Sequence, residues 1–314
     1  MKRLLLLLLV VLLAWCAGAA FNLRVSPDTR WLLDLVQIKA DALKKSQNAP
    51  QRILVVGGSS VLFGVDAVLL QKETGRSSIN LGLAANLGAL FMLGYAEDSA
   101  KSGDLVVLSI EPDLFDSAPA ATRDAANFTA SLGKRQWMFG GDPGYITMSP
   151  AETLGSWFSV TTPGLRRIVN YTARRGMHLP LFRYRGKRVD EFGYAVEKVT
   201  FEHPLASGQP VVAMHPGWKP ILRQFRERMQ AKGVEVVYRL PWCEVAPEHL
   251  AEVRQQLATF QANISEVLPV LAEPDFGLKT DRALFSDFML HLSTRGGKEN
   301  TQSLAYLIPP LHKK

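Results

Sequence analysis

The chain has 314 residues, 47% of them hydrophobic and 21% charged, with a formal net charge of +7 and only two cysteines. This composition suits one large globular domain or two small ones with ample apolar surface for a core. It excludes a disulfide framework, and two cysteines without clustered histidines argue against a structural zinc site.

The N-terminus carries the clearest signal. Lys2 and Arg3 precede an unbroken apolar run from Leu4 to Phe21, and the next charge is Arg24. Residues 1–21 therefore read as a signal peptide or a membrane anchor whose basic end stays in the cytoplasm. The run spans roughly 27 Å at about 1.5 Å per residue, marginal for crossing a bilayer. Ala17-Gly18-Ala19 offers an A-x-A cleavage pattern, so removal and retention both remain open. Cys16 follows Trp15 rather than a small residue, which argues against lipidation. Either way, residues after about 22 are expected outside the cytoplasm, on the periplasmic or extracellular face.

Residues 22–51 carry Trp31, Leu32, Leu35, Val36, Ile38, Ala42 and Leu43 at helical spacing. They predict an amphipathic linker helix ended by Pro50. A strand–helix alternation occupies 52–308. Strands are expected at 52–57, 78–83, 104–110, 234–240 and 267–272, and helices at 65–74, 87–101, 220–232, 247–263 and 297–308. Apolar runs separated by helices imply a parallel sheet covered on both faces. The expected fold is α/β: a three-layer α/β/α sandwich on a five-stranded parallel sheet of flavodoxin-like type. Residues 309–314 form a tail.

Between about 114 and 210 the alternation breaks. The segment is rich in glycine, proline and aromatics, as in WMFGGDPGY (137–145), and reads as an insertion of short helices and loops. It also concentrates charge: Arg166, Arg167, Arg174, Arg175, Arg183, Arg185, Lys187 and Arg188 fall within 163–189 with no acidic residue among them. Outside the cytoplasm such a stretch fits lipid headgroups or anionic glycans rather than nucleic acid, or is a solvated face. Arg174, Arg175, Arg185 and Arg188 are the candidate partner surface.

The stretch ILVVGGSSVLFG (53–64) brings the first strand into two glycines and two serines. In parallel α/β sheets, ligands bind beyond the carboxyl ends of the strands, so this turn lies at a favoured place for a site. A serine nucleophile needs a base, a group orienting that base, and donors for an oxyanion. Of six histidines, His291 lies in FSDFMLHLSTRGG (285–297), after the last expected strand, with Asp287 four residues before it. A plain strand-to-helix turn at GGSS and an ordinary helix-surface Asp–His pair are the competing structural readings.

Taken in order, ILVVGGSSVLFG, INLGLAANLG (79–88), VVLSIEPDLF (106–115) and FSDFMLHLSTRGG resemble the blocks of SGNH/GDSL-type esterases and acyltransferases. The nearest likeness is to the membrane-attached envelope branch, over about residues 50–115 and 230–308. The resemblance implies Ser59 as nucleophile, with Ser60 as the alternative, His291 as base and Asp287 as its orienting carboxylate. The Ser59 and Asn86 backbone N–H groups would hold the oxyanion, with Gly82 three residues early for the second-block donor. The sequence departs from the pattern at Gly57-Gly58-Ser59, which lacks the motif aspartate, and at Glu111, which replaces the third-block asparagine. The activity implied is that of a serine hydrolase or O-acyltransferase acting on acylated carbohydrate or a small ester, needing neither metal nor organic cofactor. The competing class is an inactive protein of the same shape that binds an anionic envelope polymer or a membrane-bound acyltransferase. A nucleotide-binding domain fits poorly, because GGSS has neither GxGxxG spacing nor a P-loop lysine.

Overall fold

A computed structural model describes residues 2–141, 163–177, 188–196 and 213–308. Its centre is a parallel sheet of β1 (Arg52–Val56), β2 (Ser77–Asn80), β3 (Leu105–Leu108) and β4 (Glu235–Tyr238) in the order β2-β1-β3-β4. Every residue of β1 and β3 is buried, as expected where both faces of a strand are covered. The period of two divides them cleanly. Leu54, Val56, Val106 and Leu108 enter one core, and Ile53, Val55, Leu105 and Val107 enter the other.

The larger core lies under α2 (Pro27–Lys45), α5 (Gly88–Ser99), α8 (Trp218–Ala231) and α9 (Leu250–Ser265). The smaller lies under α3 (Ser59–Gly64), α4 (Ala67–Thr74) and α10 (Thr294–Leu307). Residues 88–96 of α5 are buried all round, the pattern of a central helix rather than a surface one. Rather than serving only as a linker, α2 puts Trp31, Leu32, Leu35, Val36 and Ala42 into the larger core. Lys39 is buried in the same helix, its ammonium donating to the carbonyls of Asn80 and Gly193, both at 2.8 Å.

Four of the five expected strands form. The fifth is reduced to one parallel bridge, Tyr238 to Val270, flanked by the Tyr238 N–H to Pro269 O and Leu271 N–H to Tyr238 O bonds. Pro269 lacks the N–H that a ladder needs. A separate pair, β5 (Cys243–Glu244) and β6 (Leu278–Lys279), was not expected. Within the predicted insertion, α6 (Arg123–Leu132) and α7 (Pro163–Gly176) are helical.

The N-terminal helix α1 (Lys2–Arg24) is long and apolar enough to cross a membrane by length and composition. Leu4 to Leu13 are all exposed, whereas Gly18 and Asn22 are buried against the body. At the amino end of the sheet, Arg52 on β1 forms a buried bidentate pair with Asp104, at 3.0 and 2.5 Å. It fixes the start of β1 against the start of β3.

Candidate functional site

Strand order reverses after β1, since β2 lies on one side of it and β3 on the other. The crevice between the carboxyl ends of β1 and β3 is the switch point where such sheets place ligands. Ser59 opens α3 on one side of this crevice, and Glu111 follows β3 on the other.

Glu111 holds the turn together. Its carboxylate accepts the backbone N–H groups of Gly58 and Ser60, each at 3.0 Å. A six-residue helix cannot sustain itself in isolation, and these bonds satisfy N–H groups that a helix start leaves without acceptors. They also explain the paired glycines. A Cβ on Gly58 would meet both Glu111 carboxylate oxygens at 2.5 Å, and one on Gly57 would run into the Ser109 carbonyl. Burial pushes the Glu111 carboxyl above its ordinary value, opposed by the Ser60 hydroxyl and N–H. That hydroxyl faces the carboxylate and favours its charged form, yet makes no hydrogen bond of good geometry among the described residues. Ser60 is buried beneath the turn and is not among the residues lining the cavity above it.

Ser59 does line that cavity, of about 380 Å³, together with His291. His291 sits in a tight loop, not a helix: the Ser286 N–H donates to the His291 carbonyl (2.8 Å) and the His291 N–H to the Phe288 carbonyl (2.9 Å). Within this loop Asp287 Oδ1 lies 2.8 Å from His291 Nδ1. Both residues are buried, at 9% and 8% exposure, so the pair is no helix-surface contact. The imidazole packs against Phe63 of α3, with ring centroids 4.5 Å apart. Ser59 and the His291 ring thus face one cavity, with Asp287 behind the ring.

A buried polar network fixes the two arms relative to each other. Asn300 of α10 donates through Nδ2 to the Gly64 carbonyl at the end of α3 (2.7 Å) and accepts from Arg239 at its Oδ1 (2.8 Å). Arg239 in turn pairs with Glu273, both almost fully buried. The Asp66 N–H donates to Thr301 Oγ1 (2.9 Å). The chain leading out of the His291 loop is thereby bonded to the helix that begins at Ser59.

The cavity wall opposite is one that sequence reasoning did not identify: Asp28, Thr29, Trp31 and Leu32 from α2, Asp124, Asn127 and Phe128 from α6, and Arg167 from α7. Ala84, Ala85 and Asn86 close one side. Ala85 and Asn86 begin a short 3₁₀ turn over Ala85–Leu87, whose first N–H groups lack acceptors within the turn. The Asn86 side chain donates to Asp124 Oδ2 at 2.6 Å, another residue of the cavity wall. Gly82 is displaced from the site: its N–H donates to Asn80 Oδ1 (2.8 Å), and it packs against the backbone of Leu62.

No protein-family model matches this chain, and neither does any curated protein or solved structure. Nor does any group of three or more metal-ligating side chains form among the described residues. Of the candidate basic surface, Arg174 and Arg175 lie exposed on α7, Arg188 opens the separate 188–196 segment, and Arg185 falls outside the described residues.

Proposed function

We propose that the protein is an exported, membrane-associated serine hydrolase or O-acyltransferase of SGNH-like architecture, acting on acyl esters of cell-envelope carbohydrate. The observation carrying this reading is the meeting of Ser59 and the His291–Asp287 pair in one cavity at the sheet's switch point. The finer fold assignment, a five-stranded three-layer sandwich of that family, belongs to the same proposal, with the Val270 bridge as the remnant of the fifth strand.

Ser59 Oγ attacks the ester carbonyl carbon while His291 Nε2 takes its proton. Asp287, on Nδ1, keeps the ring in the required tautomer and favours the imidazolium that forms. The oxyanion rests on the Ser59 N–H and on the Ala85 and Asn86 N–H groups. Collapse breaks the bond to the alcohol, which leaves with the proton from His291. Water or a glycan hydroxyl then attacks the acyl-serine, and the same steps run in reverse order.

A second reading, a binding protein of the same shape, is favoured by one observation. Glu111 stands where the third oxyanion donor would be and binds two neighbouring N–H groups itself. A fluorophosphonate probe separates the two. Covalent labelling of the full chain that is lost in Ser59→Ala at unchanged melting temperature is expected. An unlabelled wild type, or labelling that persists in the variant, overturns the enzymatic reading.

A further inference from the structure

Away from the catalytic cavity, charge and exposed apolar surface meet at the junction of α1 and α7. Arg167, in the first half of α7, meets Asn22 Oδ1 at 2.5 Å and Asp28 Oδ2 at 3.1 Å. One turn later Tyr171 packs edge-on against Phe21, with centroids 5.5 Å apart. As α7 advances, its partner on the N-terminal segment moves backward, so the two helices run antiparallel. The C-terminal turn of α7, with Arg174, Arg175 and Met177, therefore points along α1 toward the exposed Leu4–Leu13 segment.

That segment alone is about 15 Å long, half of a hydrocarbon core of about 30 Å. For α1 to span, the following residues up to Phe21 must also lie in or near the hydrocarbon. Tyr171, packed on Phe21, is then at the inner edge of the headgroup layer, and the end of α7 lies about one helical turn below it, within reach of that layer for an arginine side chain. Its chemistry fits that depth. Arg174 and Arg175 are exposed there, long basic side chains of the kind that lie along apolar surface with their charge at the interface. Met177 beside them is 61% exposed, and Val169 on the same helix 65%. α7 has no acidic residue in its first turn and two arginines in its last.

We propose that the C-terminal turn of α7 is a binding surface for anionic phospholipid headgroups, with Arg174 and Arg175 on the phosphates and Met177 at the acyl boundary. α1 and α7 together then set the body at a fixed height and tilt on the bilayer, which α1 alone, a single helix, does not do. Arg167 and Asp28 belong both to this junction and to the cavity wall, so the junction adjoins the cavity. This holds whether or not Ser59 is reactive.

The test uses the full chain in vesicles, with Cys16→Ser and Cys243→Ser and an environment-sensitive fluorophore on Met177→Cys. In phosphatidylcholine vesicles containing phosphatidylglycerol, quenching by a headgroup nitroxide is expected to exceed that by a deep acyl-chain nitroxide. It should fall at least about twofold without the anionic lipid, or in Arg174→Glu/Arg175→Glu. The same fluorophore on Leu8→Cys should show the reverse depth order. Three results overturn the proposal: no quenching at Met177→Cys while Leu8→Cys is quenched; quenching indifferent to both anionic lipid and charge reversal; or quenching at Met177→Cys chiefly by the deep nitroxide.

Discussion

The two ends of the sheet each bury a carboxylate, and they use it in opposite ways. At the amino end Asp104 faces the guanidinium of Arg52 in a two-pronged pair. At the carboxyl end Glu111 faces not a cation but the N–H groups of Gly58 and Ser60, with the Ser60 hydroxyl beside them. A buried ion pair does little for net stability, but removing one partner strands a charge and costs about 3–5 kcal/mol. A carboxylate held by neutral donors imposes a shape on the chain that donates to it. The amino end is built to stay shut, the carboxyl end to hold a serine at a fixed angle.

That contrast can be broken at either end. The largest effect is expected from Asp287→Asn, which leaves the shape of the His291 loop but favours the wrong tautomer. Fluorophosphonate labelling should slow by about 10³–10⁴-fold with little change in melting, and an unchanged rate would remove Asp287 from the chemistry. Asp104→Ala should do the reverse, lowering unfolding free energy by about 3–5 kcal/mol in a denaturant titration while the folded fraction keeps its labelling rate.

Lys39 gives the pH dependence. Burial lowers its pKa to about 7, with Asp190 pulling the other way. Below pH 7 the side chain is charged whether the chain is folded or unfolded, and the folded state bears the cost of burying that charge. Between about 7 and the ordinary lysine value of 10.5, only the unfolded chain holds the proton. Stability should therefore rise with pH, by about 2 kcal/mol from pH 7 to 9, and Lys39→Met should flatten that rise. The smallest effect is expected from Glu111→Gln. Its amide can accept only one of the two N–H groups, at a cost of about 1–2 kcal/mol, and labelling of Ser59 should slow while the far-ultraviolet circular dichroism stays the same.

Much of the sheet is legible in the sequence because β1, β3 and β4 are short apolar runs bounded by glycine or charge. The fifth strand falls short because 267–272 has the hydrophobicity of a strand but a proline at the position that should donate. α3 is hidden: two serines and a glycine in six residues make a poor helix, and the residue that caps it lies 51 positions beyond Ser60. At the site, Ser59, His291 and Asp287 can be proposed from order and location. Asp28, Trp31 and Arg167 cannot, because an apolar stripe on α2 and a basic stretch on α7 carry no sign that they face a serine across a cavity. Asn300 is equally hidden, since a buried amide in a C-terminal helix looks like any other polar residue until its partner is seen.

Asn300 has a consequence for how the protein should fail on heating. The helix bearing Ser59 and the segment bearing His291 are joined through side-chain amide and hydroxyl bonds rather than through a shared strand. Such a joint can loosen while the central sheet remains intact. Reactivity toward the probe should therefore disappear several degrees before the bulk of the secondary structure melts, and return on cooling from that intermediate temperature.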